Sequence, residues 1–90
     1  MKLAWKQRAV ADRDAIFNQL AADNAGAAIE LDELFSRRIG ELTLHPHMYG
    51  SGPATCTRKM MVDSQFVVVY RIGTDVVEIL RIAHSSRRWP

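Results

Sequence analysis

The stretch Phe66–His84, FVVVYRIGTDVVEILRIAH, decides how the rest of the chain is read. Its first half, FVVVYRI, is continuously apolar and β-branched, the composition of a strand covered on both faces. Its second half, DVVEILRIAH, reads as a further strand. Gly73-Thr74 stands between the two, the form of a tight type II′ hairpin with glycine at the first central position. The central pair is therefore an antiparallel hairpin, and the remaining elements have to pack on it or pair with it.

Upstream, TRKMMV (residues 57–62) is a shorter strand-like run, and KLAWK (2–6) alternates apolar with charged residues like a strand. Between them the period lengthens. Ala9, Arg13, Ile16, Phe17 and Leu20 recur at three- and four-residue steps, as do Ala28, Leu31, Phe35, Ile39 and Leu42. These spacings predict helices over 8–22 and 26–44, separated by the turn-forming ADNAG and stopped before Pro46. So short a turn makes them an antiparallel hairpin. HPHMYGSGPAT (45–55) is loop. The order β-α-α-β-β-β implies one α+β domain over residues 1–90, with the helical hairpin on one face of a mainly antiparallel sheet and FVVVYRI central. The other face is left for solvent or a partner.

Charge is unevenly placed. Asp12 to Glu41 holds seven acidic residues against Arg13, Arg37 and Arg38. After that the balance reverses, with Arg58, Lys59, Arg71, Arg81, Arg87 and Arg88 against Asp63, Asp75 and Glu78. A positive face on the strands suits an anionic partner. Cys56 is the single cysteine, which excludes a disulfide framework and a cysteine-based zinc site and fits a reducing compartment. His45 and His47 flank Pro46 without a third ligand nearby, so neither a metal nor another cofactor is expected. No apolar run approaches the ~20 residues of a membrane span, and MKLAWKQRAV lacks the apolar core of a secretory signal.

Taken together, AVADRDAIFNQLAADN, AAIELDELFSRRIGELTLHPHMYG, TRKMMV and FVVVYRIGTDVVEILRIAHSSRRWP resemble the RelE/ParE superfamily of bacterial toxins. The most specific part is Tyr-Arg, a short turn, Val-Glu-Ile-Leu-Arg, then His and paired arginines. The resemblance implies a cytoplasmic toxin of a type II toxin–antitoxin module, neutralised by a small antitoxin and touching operator DNA only through it. ParE-like members inhibit DNA gyrase by binding it, and RelE-like members cut messenger RNA on the ribosome. A third alternative is an inactive relative that keeps antitoxin binding and operon autoregulation.

Cleavage of RNA requires a base, a cation for the developing phosphorane and an acid. The loop from Thr43 to Thr57 has no Lys or Arg, the quoted C-terminal stretch closes on Trp-Pro where some RelE-like members carry a tyrosine, and Val67 stands near the position where others carry an arginine. Arg58, Arg81 and His84 are what remains of a catalytic set. In a regular strand Arg81 lies on the face opposite Leu80, Ile82 and His84. The ParE-like alternative needs no catalytic group and is preferred. Arg58, Met60, Met61, Arg71, Arg81, His84, Arg87, Arg88 and Trp89 are the candidate partner-binding residues. One of Met60 and Met61 is expected in the core and the other on the partner face. Trp89 is expected to pack and hold Arg87 and Arg88 on display, while Asp12 and Asp14 are expected on a solvated helix face.

Overall fold

The computed structural model describes residues 1–86; the expectations for Arg87, Arg88 and Trp89 lie outside the described residues. The elements are β1 (Lys2–Trp5), α1 (Gln7–Asp23), α2 (Ala25–Glu41), β2 (Arg58–Met61), β3 (Phe66–Ile72) and β4 (Val76–His84). Both helices and all four strands are found in the expected order and place, with the second helix ending at Glu41 and passing into turns over residues 42–44. Asn24 alone joins the helices. Its backbone N–H closes α1 on Leu20 O at 2.9 Å, and its side chain accepts from Ala27 N–H at 3.0 Å to open α2. Farther along, Arg13 of α1 donates to Asp32 Oδ1 (2.7 Å) and Ser36 Oγ (2.7 Å) of α2, pinning the antiparallel hairpin. The same guanidinium lies 5.3 Å from the centre of the Trp5 ring.

The strand order is β1-β4-β3-β2. β3 pairs antiparallel with both neighbours, and β1 adds to β4 in parallel. Phe35, Ile39 and Leu42 of the second helix and its exit pack on Met60, Phe66, Val68, Tyr70, Val77, Ile79 and Ile82 from the sheet. Val67, Val69 and Ala83, which alternate with these, are also buried. The centre of the second face is thus not left to solvent. Phe66–Tyr70 is covered on both sides, as its unbroken apolar composition requires.

Two local expectations are corrected. Gly73 does not take a positive φ; Asp75 does, at 60°, so the turn is not type II′. Gly73 N–H instead donates to Val76 O at 2.8 Å, and Asp, which tolerates the left-handed region, takes the special position. The second correction is in β4, which is not regular. Val69 pairs with Arg81 but Tyr70 pairs with Ile79, leaving Leu80 as an extra residue. That bulge resets the alternation, so Ile79 and Ile82, three apart, both enter the core.

Candidate partner-binding surface

Arg81 follows the bulge, where β4 runs past the end of β1 and presents its edge to α1. Asp12 meets it there. The carboxylate accepts from Arg81 Nε (2.7 Å) and Nη2 (3.0 Å) in a fork, and from the Ile82 backbone N–H at 2.9 Å. It therefore neutralises a guanidinium and satisfies an edge donor that no strand reaches. The pairing holds Arg81 more firmly in its charged form, the hydrogen bond to Asp12 outweighing the cost of burial. Asp12 is not on a solvated face. Ala9, Asp12 and Ile16 share one helical stripe, and that spacing was the signal for its role.

Arg58, Arg71 and Arg81 do not gather on one face. Arg58 shares the helix-side face with buried Met60, and its Nη1 donates to Tyr49 O at 2.6 Å. Arg71 lies on the opposite face, donating to Glu78 Oε1 from Nη2 at 2.9 Å and from Nε at 3.1 Å. Lys6 approaches the other oxygen of Glu78 at 3.1 Å. Lys6 first and Arg71 second lower the Glu78 pKa. Lys59 and Met61 alternate with Arg58 and Met60, and thus lie on the same face as Arg71. Met61 is 45% exposed and Met60 fully buried, so only Met61 can meet a partner without rearrangement. The accessible part of this second face combines cations with one flexible apolar side chain.

His84 is exposed at the end of β4, its ring tilted over Phe66 with 4.6 Å between centroids. It lines a cavity of about 460 Å3 with Ile16, Leu20, Leu31 and Phe66, rimmed by Asp23 and Asp63. Sequence reasoning missed this groove because its walls come from four separate elements, α1, α2, β3 and β4. At the opposite end Tyr70, whose pKa burial raises against the opposing charge of Arg58, donates its hydroxyl to Pro46 O at 2.6 Å. Arg58 pairs across from Tyr70 and His84 across from Phe66. Their backbones are thus about 13 Å apart along β3 and two strand spacings, about 10 Å, across it. The three residues left for RNA cleavage are not brought together. Among the described residues, no three His, Cys, Asp or Glu side chains stand together as metal ligands.

Residues 3–89 match the family described as the ParE toxin of the type II toxin–antitoxin system parDE. The chain belongs to the ParE toxin family. Its fold is that of a chromosomal ParDE system from P. aeruginosa, with a TM-score of 0.82 and 22% identity over 93% of this chain and 95% of that one. A copper-bound mutant toxin from Helicobacter pylori superposes at 0.68 with 18% identity, covering 99% of both chains. YafQ from E. coli strain BL21(DE3) superposes at 0.55 with 13% identity over 94% of this chain and 93% of that one. No curated protein sequence matches. At these identities the structural likenesses establish the fold, and the ParE membership rests on the family match. Among the described residues no helix is long and apolar enough to cross a membrane.

Proposed function

We propose that this ParE-family toxin acts in the cytoplasm by binding DNA gyrase and is neutralised by a cognate antitoxin. The observation that carries this reading is the separation of Arg58 from His84, with Arg81 already committed to Asp12. A general acid–base pair and its stabilising cation have to converge within hydrogen-bond reach of one phosphate. The alternative, cleavage of ribosome-bound messenger RNA, has to pull Arg81 out of a fork that the helix supplies. The antitoxin segment lies on the second face, with an apolar side chain beside Met61 and carboxylates toward Lys59 and Arg71. These cations are exposed, so added salt weakens that complex.

Purified toxin presented with ribosomes and messenger RNA tests the enzymatic alternative. We expect no cleavage above background, and the same from the His84→Gln protein. Cleavage by the wild type that the folded His84→Gln protein loses would overturn the proposal in favour of an endonuclease. A protein that binds its antitoxin yet leaves growth and gyrase unaffected would be an inactive relative.

A further inference from the structure

We propose that the loop between α2 and β2 forms a binding site for a phosphate group, built around Arg58. The loop borders an open cavity of about 640 Å3 whose walls include His47, Ser51, Thr55, Cys56 and Arg58, with Ile72 of β3 beside them. Arg58 is half-buried, and its Nη1 is held by Tyr49 O at 2.6 Å and by His47 O at 3.4 Å. That clip accounts for one of its three nitrogens. Among the described residues Nε and Nη2 have no acceptor, and no carboxylate lies within 4.0 Å of the guanidinium. The contrast with Arg13, Arg71 and Arg81, each paired to a carboxylate, is direct. Nor is there an anion in the surrounding chain, since Thr43 to Val62 contains no Asp or Glu.

The rest of the wall divides into groups that brace the loop and groups left over. Thr57 braces it, its hydroxyl donating to Ala54 O at 2.6 Å and accepting from Ala54 N–H at 3.1 Å. Gly52 allows the close approach, since a Cβ there would collide with Thr57 Oγ1. By contrast, the hydroxyls of Ser51 and Thr55 and the backbone N–H groups of Thr55 and Cys56 have no hydrogen-bond partner among the described residues. Cys56 adopts φ 63° at the corner of the turn that Thr57 N–H closes on Ala54 O at 3.2 Å, and this turn holds the Thr55 and Cys56 amides in the wall of the cavity. A pre-oriented guanidinium edge, two hydroxyls and two amides around a cavity without carboxylates match a tetrahedral oxyanion. The phosphate can belong to a monoester or to a nucleic-acid diester, and the two sources are separable by experiment.

The full chain, labelled with nitrogen-15, should be titrated separately with inorganic phosphate, adenosine monophosphate and a short single-stranded oligonucleotide. Sodium chloride at matched ionic strength is the control. Saturable shifts confined to Ser51, Thr55, Cys56 and the Arg58 side chain are expected with at least one phosphate probe. Response to the monophosphates assigns a monoester; response to the oligonucleotide alone assigns a diester. The Ser51→Ala, Thr55→Ala double variant, which leaves the Arg58 clip and the Thr57 brace intact, should weaken binding about tenfold or more. Arg58→Lys, which keeps the charge but not the fork, should weaken it further. Shifts that merely follow ionic strength, or equal binding by the double variant, would overturn the proposal.

Discussion

Asp12 shows most directly how one residue links helix, sheet and charge. It is 17% exposed, as is Arg81, and it holds two guanidinium nitrogens and a backbone N–H. Replacing it by Ala leaves all three without their partner, so Asp12→Ala should destabilise the fold by about 2 kcal/mol in chemical denaturation. Asp14→Ala, two residues along on the exposed side of the same helix, should change stability little. A double-mutant cycle with Arg81→Met separates the pair from the edge hydrogen bond: the residual cost of Asp12→Ala in that background reports the Ile82 N–H. Glu78 supplies a second residue-scale test. Lys6 and Arg71 depress its pKa below the ordinary value of 4.5, so the folded state binds its proton less readily than the unfolded state. The stabilisation is complete above the unfolded value and is lost as pH falls through the lower, folded one. Glu78→Gln should flatten that part of the acid-denaturation profile, and a profile unchanged by the substitution would contradict the ion-pair assignment.

At the scale of elements, the periodicities carry the secondary structure and the local chemistry carries the exceptions. Both helices and the central strand were legible because their apolar spacing is long and uninterrupted. The antiparallel helix pair was legible from the shortness of the turn, and a single residue, Asn24, makes it. Asn24→Ala removes the side-chain acceptor for Ala27 N–H and should cost about 1 kcal/mol, read from the shift in denaturation midpoint. The β3–β4 turn was not legible. Glycine is the usual carrier of a positive φ, yet here Asp75 takes it and Gly73 does not. Asp75→Gly should therefore be tolerated, whereas Asp75→Val should destabilise by about 1–2 kcal/mol because a β-branched side chain clashes in that region. The Leu80 bulge was equally hidden. Leu80, Arg81 and Ile82 suit a regular strand, and only the need to bury both Ile79 and Ile82 forces the extra residue.

For the molecule as a whole, the fold and the family were accessible from sequence, while the grouping of functional side chains was not. Arg58, Arg71 and Arg81 recur on successive strands, but recurrence along the chain does not fix which face each one occupies. Pairing places them on different surfaces, and helix and strand carboxylates claim two of the three. On the second face this leaves Lys59 beside Met61, together with Arg71 in an exposed pair with Glu78, while Arg58 is turned toward its own loop. Charge reversal at Lys59 and Arg71 together should weaken antitoxin binding in calorimetry, with the loss shrinking as salt rises. The central claim, that this toxin works by binding gyrase, is tested most directly by DNA supercoiling with purified gyrase. The toxin should inhibit supercoiling in a concentration-dependent way, and pre-incubation with antitoxin should restore it. Full gyrase activity at saturating toxin, from a preparation that still arrests growth in cells, would contradict the claim.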